Sequence, residues 1–187
     1  QPALHQAAAD LLADGGFGFR FGHNEFALRL PNALAFVFTV FLAFQLGRLL
    51  VPKRPWLPAL FYAASPAAFL AANWINTDTV LAAMTVLAMT CYAQYRFGSG
   101  KNYWLDAMWL AFGLAFLTKG PPGLLPLLAV IVFAIWHKHG LILLRPVGLL
   151  AFAVVGLGWY ALVIQRHPGL LDYFLRHEVV PRIAPDK

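Results

Sequence analysis

The sequence predicts an all-α membrane protein: a bundle of about six transmembrane helices with an interfacial amphipathic helix ahead of them. Three observations carry that prediction. Hydrophobic residues make up 60% of the 187 residues and charged ones 12%, with a mean hydropathy of +0.66, which is membrane rather than soluble composition. A helix needs roughly 20 mostly apolar residues to cross a bilayer core, and candidate stretches fall at about 30–50, 56–72, 77–95, 103–118, 122–136 and 145–164. Finally, charge alternates from loop to loop. Arg48, Lys53 and Arg54, then Arg96 and Lys101, then Lys138 and Arg145 occupy loops without an acidic residue, although Asp106 lies nearby in the next span. The remaining loops mix both signs. By the positive-inside rule the basic loops are cytoplasmic and the mixed-charge side is periplasmic or lumenal, which puts both ends of the chain outside.

The net charge of +6 does not indicate a nucleic-acid partner, because the excess is confined to those short loops. A single cysteine, Cys91, lies mid-span as a small apolar filler and excludes an intrachain disulfide or a cysteine metal site. The chain starts with Gln, shows no signal peptide and begins and ends within outer segments, so it is expected to be a fragment of a longer membrane protein.

Residues 1–29 are expected to form an outer interfacial segment. Leu4, Ala7, Ala8, Leu11 and Leu12 recur at helical spacing, Gly15-Gly16 stops the helix, and Phe17, Phe19 and Phe21 suit the headgroup layer. Residues 30–164 form the bundle. Pro31 fits the first turn of the first span. The second span carries Pro58 and Pro66. Thr77 or Asn76 caps the third. The fourth and fifth spans make a hairpin with Leu117-Thr118-Lys119-Gly120-Pro121-Pro122-Gly123 at its tip. Gly148, Gly156 and Gly158 permit close packing of the sixth. Residues 165–187 are outer again.

The ionisable groups of the outer side gather near the membrane boundary: Glu25 and Arg29 before the first span, Asp78 at the third, Lys119 at the hairpin tip, and His177, Glu178 and Arg182 after the sixth. Gly120 can end one helix and Pro121-Pro122 can begin the next, so an ammonium and a helix N-terminus would face the same spot and cradle a phosphate. The alternative is a lysine that snorkels to the interface. Asp78 also reads as a helix-capping acid, and Glu25 and Arg29 as a plain i,i+4 ion pair. Glu178 and Arg182 share that spacing, with Pro181 between them. No histidine pair has a metal-binding spacing, and there is no nucleotide loop or Ser-His-Asp arrangement; no cofactor is expected.

In their order, Glu25-Phe26-Ala27-Leu28-Arg29-Leu30-Pro31, Thr77-Asp78 and Leu117-Thr118-Lys119-Gly120-Pro121 resemble the ArnT-like and protein O-mannosyltransferase-like membrane glycosyltransferases, which have the GT-C fold. Gln1-Pro2-Ala3-Leu4 is similar to the family's Lys-Pro-Pro-Leu segment, and Glu178-Val179-Val180-Pro181-Arg182 to its outer Glu-x-x-x-Arg segment. The resemblance implies inverting transfer of a sugar from a polyprenyl phosphate to a lipid, protein or glycan acceptor, in a bacterial inner membrane with the site facing the periplasm. It implies that Lys119 and Arg182 contact the donor phosphate, and that Asp78, Glu25, Arg29 and Glu178 support the site. The family's catalytic base, an acidic residue of the first outer loop, is expected upstream of Gln1. Gln1 itself departs from the family's early lysine. The competing reading is a secondary transporter or flippase for an anionic lipid or solute, which would favour ionisable groups near the midplane; Asp106 is the one candidate. A scaffold subunit without chemistry is the third.

Overall fold

The computed structural model describes residues 25–74, 76–138 and 140–166, and of residues 25–28, 163, 164 and 166 the backbone only. Within them the chain is helical and has no strand. The predicted interfacial helix, along with Glu178 and Arg182, lies outside the described residues.

Helix α1 covers Glu25–Leu50. Its Arg29–Leu50 portion is the one described helix long and apolar enough to cross a membrane by length and composition alone. The helix starts ahead of the predicted span, so Pro31 is inside it rather than in its first turn. A proline there removes one backbone donor, a loss that neighbouring helices can accommodate.

The predicted second span is two short helices, α2 (Leu57–Ala63) and α3 (Pro66–Asn73). Pro58 is harmless in the first turn of α2. Pro66 is not, because the residue before a proline is pushed out of the helical region. Ser65 accordingly has ψ 118° and separates the two helices.

Helix α4 (Asp78–Phe97) and α5 (Tyr103–Lys119) form the centre of the bundle. A 3-10 turn, Pro121–Leu124, leads into α6 (Leu125–Trp136). A second such turn, Gly140–Leu143, precedes α7 (Pro146–Phe152), which passes through a π turn at Ala153–Leu157 into α8 (Gly158–Arg166).

Helix α4 lies between α1 and α5, and α5 between α4 and α7. The core is built from Ala88, Cys91 and Tyr92 of α4, Leu105, Met108 and Phe112 of α5, and Leu127, Val130 and Ala134 of α6. Two of the predicted glycines allow close approach. A Cβ on Gly148 would stand 2.6 Å from the Trp109 ring, and one on Gly156 would stand 3.4 Å from Gly113 of α5. Gly158 faces open space and packs against nothing, so that expectation is corrected.

Two buried hydroxyls are satisfied within their own helices. Thr39 donates to the Ala35 carbonyl at 2.8 Å and Thr90 to that of Val86 at 2.7 Å. Among the described residues no buried side-chain polar atom lacks a partner. The outside is the reverse of a soluble surface: Phe41, Phe61, Leu128, Val132, Leu150 and Trp159 are all exposed.

Candidate functional site

One end of the bundle assembles polar groups from three distant stretches. The Asn32 amide in α1 donates to the Trp74 carbonyl at 2.6 Å, tying α1 to the loop that opens α4. Both helices therefore start at the same end, and α5 returns there with Lys119 as its last residue.

Asn76 is the cap of α4. Its Oδ1 accepts from the backbone N–H groups of Asp78 (3.1 Å) and Thr79 (3.4 Å), while its own amide donates to the Ala71 carbonyl at 3.4 Å. Thr77 makes no capping bond. With the cap supplied by Asn76, the Asp78 carboxylate is available for another partner. That partner is the Lys119 ammonium, which donates to Asp78 Oδ1. The side chains remain 44% exposed for Lys119 and 55% for Asp78, so solvent or a ligand reaches both.

Gly120 ends α5. Its φ of +71° suits a residue without a Cβ, and its N–H donates to the Phe116 carbonyl at 2.6 Å. The outgoing segment differs from the expectation. Pro121 and Pro122 begin a 3-10 turn, and the α-helix starts only at Leu125. The prolines have no N–H to offer, and that of Gly123 donates to the Gly120 carbonyl at 3.0 Å. The positive feature of this tip is thus the ammonium, with little help from backbone donors.

Arg29 lies at the same end, exposed, in the second turn of α1, and Glu25 is one turn nearer the helix start. Tyr160 was not singled out by sequence. Its ring packs edge-on against Phe116 at 5.5 Å, and its hydroxyl stands 3.8 Å from where a Gly120 Cβ would be. The Trp159-Tyr160 pair near the end of an apolar stretch was the available signal.

The opposite end holds a second ion pair. Arg145, just ahead of α7, donates to both Asp106 oxygens, at 2.8 and 2.9 Å. Hydrogen bonding to Asp106 pushes the guanidinium further above its already high ordinary value. Asp106 sits in the first turn of α5. At about 1.5 Å per residue it is about 20 Å from Lys119 along the axis. It is therefore a paired group at the end of a helix, not the midplane carboxylate that a transporter would want.

The sequence profile described as dolichyl-phosphate-mannose-protein mannosyltransferase matches residues 17–164, most of the chain. The chain belongs to this family. An undecaprenyl phosphate-alpha-4-amino-4-deoxy-L-arabinose arabinosyl transferase of Pseudomonas fluorescens is 31% identical over 89% of this chain and 32% of its own length. A protein of the same description from Edwardsiella ictaluri is 28% identical with the same coverage. An uncharacterized protein of Aquifex aeolicus is 29% identical over 78% of this chain and 33% of its own length. The chain thus spans about a third of the length of these relatives. No solved structure matches it. Glu25, Arg29, Asp78 and Lys119 fall within the mannosyltransferase-family match, and Glu178 and Arg182 lie beyond it.

Proposed function

We propose that this chain is the donor-binding membrane core of a GT-C glycosyltransferase that moves a sugar from a polyprenyl phosphate to a lipid, protein or glycan acceptor. The reading places about six spans in an inner membrane, with the Lys119 end facing the periplasm. Residues 30–164 are the bundle, and the flanking 1–29 and 165–187 belong to the outer surface. The observation that carries the proposal is the meeting of Asp78 and Lys119 at one end of a bundle whose sequence belongs to the mannosyltransferase family. Relatives named for an undecaprenyl phosphate-linked sugar support the donor class.

The chemistry gives Lys119 a task. In the donor the phosphate is a diester with one negative charge. As the glycosidic bond breaks, the electron pair goes to the phosphate oxygen and a second charge develops. Cations beside that oxygen are worth more in the transition state than in the ground state. Lys119 is one such cation, and Arg182 is the second. The ammonium has three donors, so it can meet a phosphate while keeping its bond to Asp78. Asp78 then holds the outer ends of α4 and α5 in register, with Glu25, Arg29 and Glu178 as further support. The base that activates the acceptor belongs to an outer loop upstream of Gln1.

The test uses the full-length protein reconstituted with a labelled polyprenyl-phosphate sugar. Lys119→Ala and Arg182→Ala should each lower kcat/KM about 100-fold. Unchanged donor affinity and turnover in both variants would remove the phosphate assignment. An acidic residue in an outer loop roughly 30–50 residues before Gln1, one span plus a loop, is the further expectation. The transporter reading has no supporting observation, since Asp106 is paired at a helix end.

A further inference from the structure

A hollow of the structure lies far from Lys119, at the end occupied by the basic loops. It is a groove of about 480 Å3 between α6 and the Gly140–Leu143 turn. Its walls are Ile131 and Ile135 of α6 with Leu141 and Leu144 of the returning loop, and Trp109 lies at its base. The Trp109 indole N–H is already donated to the Leu143 carbonyl at 2.8 Å, so the base offers a ligand only apolar surface. A groove of this lining does not hold water well, and its volume is in the range of ordinary ligand sites.

One charged residue lines it. Lys138 follows the end of α6 with φ +58°, the left-handed turn that reverses the chain after a helix. Among the described residues it has no acidic partner; Asp106, the described carboxylate at this end of the bundle, is engaged by Arg145. Trp136, 82% exposed, sits two residues earlier. Tryptophan favours the boundary between hydrocarbon and headgroups. On the membrane-spanning reading this sets the apolar groove at the depth of acyl chains and the ammonium at the depth of phosphates.

We propose that this groove binds an anionic phospholipid of the leaflet that the basic loops face, with one acyl chain along α6 and the phosphate at Lys138. Lysine contributes point-charge attraction to a lipid phosphate, and the apolar walls replace the lipid's own neighbours along the chain. The site is separate from the donor site and rests on the membrane-spanning reading alone, not on sugar transfer.

The experiment places the full-length protein in symmetric phosphatidylcholine nanodiscs, which makes the result independent of orientation. A small fraction of either phosphatidylglycerol or phosphatidylcholine carries a photoactivatable diazirine in its acyl chain, and cross-links are mapped by peptide mass spectrometry. The phosphatidylglycerol probe should label Ile135, Leu141 and Leu144 in preference to other exposed helix faces. Lys138→Asn tolerates the left-handed backbone and removes the charge. It should cut that labelling about fivefold and leave the phosphatidylcholine probe's labelling unchanged. Lys138→Arg should retain it. Equal labelling by the two probes in the wild type, or full phosphatidylglycerol labelling in Lys138→Asn, would overturn the lipid site. Absence of labelling on every helix face by both probes would overturn the membrane-spanning reading as well.

Discussion

Asp78 and Asp106 each meet a cation at one end of α5, and the difference between the two pairs sets what each can do. Lys119–Asp78 is a single contact with both side chains about half exposed. Arg145–Asp106 is bidentate, and its side chains are only 29% and 22% exposed. The open pair can admit a further partner to the ammonium, and the closed one holds the loop before α7 onto α5. Asp106→Asn should lower the thermal midpoint in detergent, because it leaves a half-buried guanidinium without its counter-ion. Adding Arg145→Gln should recover part of that loss, and a double-mutant cycle measures the coupling. Asp78→Ala should reduce transfer about tenfold, less than Lys119→Ala, with Asp78→Glu restoring part of it. That ordering follows if Asp78 positions the lysine while the lysine meets the phosphate. Equal losses in the two alanine variants would contradict it. None of these pairings was readable from spacing, since Asp78 and Lys119 are 41 residues apart and Asp106 and Arg145 are 39 apart.

At the scale of elements, α5 is the axis of the bundle. Phe112, Leu105 and Met108 are fully enclosed between α4, α6 and α7. In a bilayer the unfolded reference still keeps such side chains away from water, so the cost of truncation is mainly lost packing. Phe112→Ala leaves roughly 100 Å3 empty, which at about 24 cal/mol per Å3 costs about 2 kcal/mol. A shifted midpoint in an SDS-titrated unfolding series measures it. Gly148→Leu should cost about 1–3 kcal/mol, since even its first carbon would meet the Trp109 ring at 2.6 Å. It should also disturb the indole hydrogen bond to Leu143, visible as a shift in tryptophan emission. The helix boundaries were largely legible in the sequence, because capping residues, prolines and apolar runs act locally. The break at Ser65-Pro66 was visible as a proline but was read through as a continuous span. The π turn after α7 left no sequence signal beyond Gly156.

At the scale of the molecule, the orientation is testable without touching the site. Cys91 is buried, so it contributes little background to thiol labelling. Thr77→Cys, exposed at the Lys119 end, should react with an impermeant maleimide in intact spheroplasts. Ser99→Cys, exposed at the other end, should react only after the membrane is opened. The reverse pattern would put the donor site in the cytoplasm and remove the proposed function as stated.

The sequence by itself determined the all-helical class and the approximate limits of the helical segments. Each depends on composition or on neighbours a few residues away. Tertiary structure decided which charges meet. It gave Lys119 to Asp78 and Arg145 to Asp106, assigned the cap of α4 to Asn76, and opened an apolar groove beside Lys138. Those outcomes depend on how helices from distant stretches pack against one another, and a linear pattern of residue types does not carry that distance.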